Sequence, residues 1–335
     1  MPILGPEHDR QHPVDGDSAW SESYYFNAYD PVTDSGIFTR VGVRPNEGTI
    51  DVGLSVWLPG AESGPGGLAE YRFVREQTEM VDGRFEVGGV TYEMLEPMQR
   101  WRITADCEAA VHGGAPVSIG LDATFDALIP AVGVDGQRSG GDGSSRTDAA
   151  AEQTSQSVGK GHLEQSGRWT GTLSVDGTSH TWGDARGNRD KSWGPRRWGG
   201  PQMWRWFSIN IGGSESDQGT HFGGIRIGTE AGDLHRGWVW TDGEHTSIRE
   251  WRVKTELEDD GVTHRVTHVT ALDKRDREHV LRGDLMRVAR IGYGRTGTIV
   301  NEGLARWEYN GRTGYGIAEY LHQLDDDGRP VIAVE

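Results

Sequence analysis

Residues 51–58 read DVGLSVWL, and their alternation decides the fold class. Val52, Leu54, Val56 and Leu58 fall on one side of an extended chain, and Asp51, Gly53 and Ser55 fall on the other. That period of two is the mark of a strand with one face in a core, whereas a helix would need apolar residues three and four apart.

The same grammar extends in both directions. Before it, 36–43 is strand-like, following an aromatic cluster at 20–31 (WSESYYFNAYDP) that Asp30-Pro31 closes with a turn. After it, strand-like runs are expected at 69–76, 84–95, 99–109 and 117–129, and again at 162–176. The second half repeats the pattern at 203–211, 221–227, 236–241, 247–258, 262–272, 279–291, 298–309 and 314–324. Asp242-Gly243, Asp260-Gly261 and Asn310-Gly311 are hairpin signals. Short strands at this spacing imply an all-β chain of antiparallel meanders closing into barrels.

A chain of 335 residues is long enough for two such domains. The expected division is a loose polar arm at 1–19, a first barrel at 20–185 and a second at 186–335. Within the first, 133–161 (GVDGQRSGGDGSSRTDAAAEQTSQSVGKG) is small, polar and aperiodic, and predicts a long mobile loop.

The formal charge of −17 repels nucleic acid and anionic membrane surfaces. The single cysteine, Cys107, excludes an intrachain disulfide and a cysteine metal cage, and reads as a small buried hydrophobe. The sequence opens without a basic, then apolar, leader, and no apolar run reaches membrane-spanning length, so a soluble cytoplasmic protein is expected, without stable membrane insertion. The sequence leaves oligomeric state open.

Chemistry concentrates at 162–207, HLEQSGRWTGTLSVDGTSHTWGDARGNRDKSWGPRRWGGPQMWRWF. Six of the 13 tryptophans lie here: Trp169, Trp182, Trp193, Trp198, Trp204 and Trp206. They surround an aspartate flanked by bases, Arg189-Asp190-Lys191. Rings beside a dry carboxyl make an apolar pocket with one proton donor. His162 and Glu164 share a strand face, as Asn188 and Asp190 do if that segment is extended. Equally, Asp190 can pair with Arg189, Lys191, Arg196 or Arg197 as a structural anchor. Trp204 and Trp206 share one face, opposite Met203, Phe207, Ile209 and Ile211, so one set is packing.

Other motifs dissolve on inspection. The match to G-x-G-x-x-G at 292–297 (GYGRTG) is followed by strand and turn rather than helix, and reads as a hairpin. His264 and His268 fall on one predicted face around Val266, but no third ligand stands at a telling spacing, so no metal site is expected.

Three stretches carry a resemblance: WSESYYFNAYDP with RVGVRPNEG, then HLEQSGRWTGTLSVDG, then GNRDKSWGPRRW. In this order they resemble the tandem lipocalin-like group of hydroxyneurosporene synthase (carotenoid hydratase), AttH-type proteins and kievitone hydratase. The resemblance implies two packed antiparallel barrels and a pocket for an isoprenoid-like or terpenoid-like molecule. In some members it also implies cofactor-free hydration or dehydration of an isolated double bond. The resemblance implies that the proposed acid of those hydratases falls on Asp190 and that a histidine on the preceding strands falls on His162. Glu164, Asn188, Trp182, Trp193, Trp204 and Trp206 are the expected substrate contacts. The carotenoid enzymes carry tyrosine where this chain has Asn188 and tryptophan where it has Glu164, and the group commonly has histidine where this chain has Lys191. A ligand carrier and a cofactor-free cyclase or isomerase are the competing readings.

Overall fold

Period-two alternation becomes strands almost wherever it occurs. A computed structural model describes every residue except 61–66, 77–80, 136–145, 214–217 and 292–296, together with all side chains but those and residues 76 and 146–148. The chain divides into two compact units, one of Pro2–Gly136 with Gly159–Arg196 and the other of Gln137–Val158 with Arg197–Glu335 and Met1. The division expected at 185/186 falls inside a strand, since that strand is paired on one side up to Pro195 and on the other up to Trp193.

The first unit contains β1 (Trp20–Asp30), β2 (Ser35–Arg44), β3 (Thr49–Trp57), β4 (Leu68–Glu76), β5 (Arg84–Val87), β6 (Val90–Glu96), β7 (Arg100–Val111), β8 (Val117–Ala127), β9 (Val132–Asp135), β10 (Gly161–Val175) and β11 (Thr178–Pro195). They run in the order β4-β3-β2-β1-β11-β10-β8-β7-β6-β5, and β9 adds to β10. Pairing of β4 with β7 through Ala69 and Glu70 bends this sheet into a barrel. Inside it Phe26, Val41, Val52, Leu54, Tyr92, Trp101, Phe125 and Trp169 form one core. The run expected at 84–95 is two strands, because Gly88 and Gly89 adopt positive φ between them.

The second unit is a closed barrel of β12 (Met203–Ile211), β13 (Thr220–Thr229), β14 (Gly232–Thr241), β15 (Glu244–Leu257), β16 (His264–Asp273), β17 (Glu278–Ile291), β18 (Thr298–Tyr309) and β19 (Arg312–Gln323), each paired with the next and β19 with β12. Its core includes Phe207, Ile209, Phe222, Trp251, Val269, Trp307 and Tyr320. Asp242-Gly243 and Asn310-Gly311 carry positive φ at both positions, the geometry that matches the twist of a two-residue hairpin.

Several expectations are corrected. The stretch expected as a loop at 133–161 ends β9, contains the helix α1 (Arg146–Ser157) and begins β10. α1 packs on β13 and β14 of the second unit, where Gln153 accepts the N–H of Ala231. The middle of that stretch and the expected hairpin at 292–297, save Gly297, lie outside the described residues. The arm at 1–19 is not loose: Ile3 bridges to Val132, Leu4 donates to the Ala131 carbonyl, and Asp9 is fully buried. Cys107 is half-buried, and burial pushes its thiol up to about 11. His264 and His268 do not share a face. A register shift in the β15–β16 ladder turns His264 inward against Tyr320, while His268 meets Glu256 on the outside. No described helix is long and apolar enough to cross a membrane.

Candidate functional site

Alternation along β11 separates two chemistries. Arg189, Lys191 and Trp193 point to the inside of the first barrel, and Asn188, Asp190 and Ser192 point to the outside face. Gly187 makes the close approach of β11 to β1 possible, since a Cβ there would stand 1.9 Å from the carbonyl oxygen of Asn27.

On the inside, Arg189 donates to both oxygens of Asp9 at 2.6 and 3.2 Å and to Gln165 at 2.7 Å. Asp9 also accepts from the Met98 N–H and from the Trp101 indole. Burial opposes the charge on Asp9, but Arg189, the Met98 N–H and Lys191 outweigh it and hold its carboxyl below the usual range. Lys191 contacts Glu22 at 2.8 Å and donates to the His8 carbonyl at 2.8 Å. Burial pulls the Lys191 ammonium down, against the opposing pull of Glu22. His12 stacks on Trp193 with centroids 3.8 Å apart. These groups seat the N-terminal segment into the barrel.

On the outside, strand register draws a row across four strands. Arg40 of β2 lies opposite Tyr25 of β1, Tyr25 opposite Asp190 of β11, and Asp190 opposite Glu164 of β10. Directly opposed residues have Cβ atoms ~5 Å apart, within side-chain reach. His162 stands beside the row and donates from Nε2 to Glu164 Oε1 at 3.0 Å. Glu164 is 1% exposed, whereas the His162 side chain keeps 29% of its surface open. Burial works against protonating His162, but the Glu164 hydrogen bond and the charges of Asp190 and Glu164 prevail, so its pKa is raised. Arg40 lies along its strand over Gly42, where a Cβ would come within 2.6 Å of the guanidinium, and meets Asp51 at 3.0 Å. Burial lowers the Arg40 pKa against the pull of Asp51 and Asp190, and its Nη2 has no hydrogen-bond partner among the described residues. Beside the row, Tyr25, Phe38 and Trp57 form a strip of rings with centroids 6.5 and 5.3 Å apart.

The structure therefore gathers Asp190, His162, Glu164 and Asn188 on one face. Two of the expected ring contacts are elsewhere. Trp182 is in the core, donating to Ser35 Oγ at 2.9 Å, and Trp193 packs with Leu4, Trp20, Met98 and Leu163 on the opposite side of β11. Trp204 and Trp206 lie on the outer face of the second barrel, where the Trp204 indole donates to Glu319. A hollow of about 390 Å³ opens beside Leu4, Pro6, Met98, Leu128, Ile129 and Ala131, and none of the expected site residues lines it. Sequence reasoning missed Tyr25 and Arg40. Both lie in stretches that carried the resemblance, but only strand register shows that Tyr25 lies opposite Asp190 and Arg40 one strand further along the same row.

A family model described as a domain of unknown function, DUF7064, matches residues 5–324. The chain belongs to the DUF7064 family. No curated protein matches the sequence. The DUF7064 chain is similar in structure to an AttH-designated protein from Nitrosomonas europaea, with a TM-score of 0.62, 12% identity, and coverage of 96% of this chain and 98% of that one. It is also similar to kievitone hydratase from Nectria haematococca, with a TM-score of 0.59, 14% identity, and coverage of 96% and 93%. CghA gives a TM-score of 0.55 at 11% identity over 91% and 88%. At these identities the likeness establishes a shared fold of two tandem barrels, as the resemblance in sequence implied.

Proposed function

We propose that this DUF7064 chain binds an apolar, isoprenoid-like molecule at the outer face of its first barrel and hydrates, or dehydrates, an isolated double bond by acid catalysis without a cofactor. The observation that carries this reading is the row Arg40–Tyr25–Asp190–Glu164 with His162 bound to Glu164. The fold shared with a hydratase is compatible with it.

Asp190 and His162 act as a pair that shares one proton. In hydration that proton goes to an alkene carbon, water adds to the resulting tertiary cation, and the proton released by the water returns to the pair. Atoms and charge balance over the cycle. Glu164 fixes the orientation of the imidazole, and general acid–base help of this kind contributes about 10²–10⁴-fold. The rings of Tyr25 and Phe38 are the aromatic faces of this barrel that can stabilise a cation there, each by roughly 0.5–2 kcal/mol. Trp182 and Trp193 point elsewhere and take no part in the step. The unpartnered Arg40 Nη2 and the Asn188 amide are placed to hold a hydroxyl oxygen.

Incubation of the protein with prenyl-terminated isoprenoids in ¹⁸O-labelled water tests the reading. Product gaining one labelled water supports hydration, unchanged mass with a new retention time indicates isomerisation or cyclisation, and recovery of intact ligand indicates carriage. Asp190→Asn is expected to lower turnover by about 10²-fold or more. Full turnover in that variant removes Asp190 from the chemistry.

A further inference from the structure

A second polar layer lies at one end of the second barrel, where β12, β16 and β18 begin and β13, β15 and β19 end. Arg205 of β12 points inward and is 0% exposed. Its guanidinium carbon lies 4.2 Å from the centroid of the Tyr320 ring, which Thr255 and Thr267 fix through the phenol oxygen. His322 stands diagonally across from Arg205 on β19 and is 1% exposed, with neither ring nitrogen hydrogen-bonded among the described residues. His264, fully buried, stacks on Tyr320 at 4.1 Å and hydrogen-bonds the Ala318 carbonyl through Nε2, leaving Nδ1 without a partner among the described residues. Arg205 Nε likewise has no partner among the described residues.

An unneutralised guanidinium in such surroundings costs several kcal/mol, so the layer calls for an anion. Here the anion is the Glu335 side chain. Its Oε2 takes Arg205 Nη2 at 3.3 Å and its Oε1 takes Arg226 Nη1 at 2.7 Å. Glu335 and Arg226 keep 24% and 22% of their side-chain surface open, so the anion reaches the layer from the rim. Its backbone is held by the Thr255 N–H at 2.6 Å. The Arg205 contact is long for a charge-assisted hydrogen bond, and the fork is used through one nitrogen only.

We propose that this end of the second barrel is a binding site for a carboxylate-bearing small molecule, and that Glu335 occupies it as an internal competitor. Two guanidiniums, each addressing one oxygen of a planar two-oxygen anion, select a carboxylate. The orphaned nitrogens of His322 and the Arg205 Nε are further contacts that Glu335 does not use. Burial pushes both His264 and His322 down to about 3, so they meet the ligand as neutral rings that can donate or accept.

The test uses ¹³C-carboxyl butyrate and the full chain. In Glu335→Gln the competitor is gone, and butyrate is expected to bind at least tenfold more tightly than to the native chain, with a shift of the His322 ring signals by NMR. Butanol, which lacks the anion, is expected not to bind. Adding Arg205→Met to Glu335→Gln abolishes binding, and where that double variant does not fold, Arg226→Gln in the same background carries the same expectation. Butyrate binding that is no tighter to Glu335→Gln than to the native chain overturns the proposal. So does binding that persists after an arginine is removed from a folded variant.

Discussion

Arg189 in the first barrel and Arg205 in the second are both buried inside a barrel and both lie over aromatic rings, yet their surroundings differ. Arg189 has a bidentate aspartate that is itself buried, a glutamine, and Trp101 and Phe125 at about 6 Å. Arg205 has two backbone carbonyls, one long contact to a partly exposed glutamate, and a nitrogen without a partner among the described residues. A buried charge whose every nitrogen has an acceptor holds a structure together, because its binding capacity is largely committed. An unsaturated one has binding capacity left. The comparison separates a clasp from a receptor using hydrogen-bond accounting alone.

That contrast can be broken experimentally. Asp9→Asn leaves Arg189 buried without its counter-charge and is expected to cost about 3–5 kcal/mol, measured as a lower urea midpoint. An unchanged midpoint would deny the clasp.

Acidification probes the other side. His264 and His322 are held near 3 by burial, against about 6.5 in an unfolded chain. Between those values the unfolded state binds more protons, so stability falls as pH is lowered from about 6.5 toward 3. The slope approaches about 1.4 kcal/mol per pH unit for each ring. Urea midpoints at several pH values are expected to show the slope, and His322→Leu to flatten it. Identical slopes in parent and variant would place His322 outside the buried layer.

Arg205→Met is expected to change stability by no more than about 1 kcal/mol, since a poorly paired buried cation gives up little when an apolar chain replaces it. A loss as large as that of Asp9→Asn would erase the distinction between the two arginines. The smallest effect concerns His162, whose raised pKa gives stability that is present below its unfolded value and lost as pH rises through the folded one. Its NMR titration is expected to move to lower pH in Glu164→Gln, and a titration unmoved by that change would dissociate the pair.

The architecture was legible because alternation is a local property. Val52, Leu54 and Val56 show their strand in eight letters, and 203–211 and 298–309 match their strands end to end. What the sequence hid was long-range pairing. Asp9 sits in a polar, proline-bearing segment that resembles a loose arm, and nothing local shows that its partner is Arg189. α1 was missed because its sequence, RTDAAAEQTSQS, lacks a clear apolar stripe. At the candidate site, His162 with Glu164 and Asn188 with Asp190 follow from spacing alone, while Tyr25 and Arg40 need the register of two ladders, β1 with β11 and β1 with β2. Spacing could not reveal the sidedness of Trp182 and Trp193, because many rings near one carboxyl look like a pocket until the strand is folded.

The strict left–right turn of side chains along β11 has a consequence for how such a protein can change. Positions 189, 191 and 193 hold the N-terminal segment in the first barrel, while 188, 190 and 192 share the opposite face with Tyr25 and Glu164. Substitutions on the even side leave the Asp9–Arg189 and Glu22–Lys191 contacts untouched, so the two sides of this strand can vary separately on one scaffold.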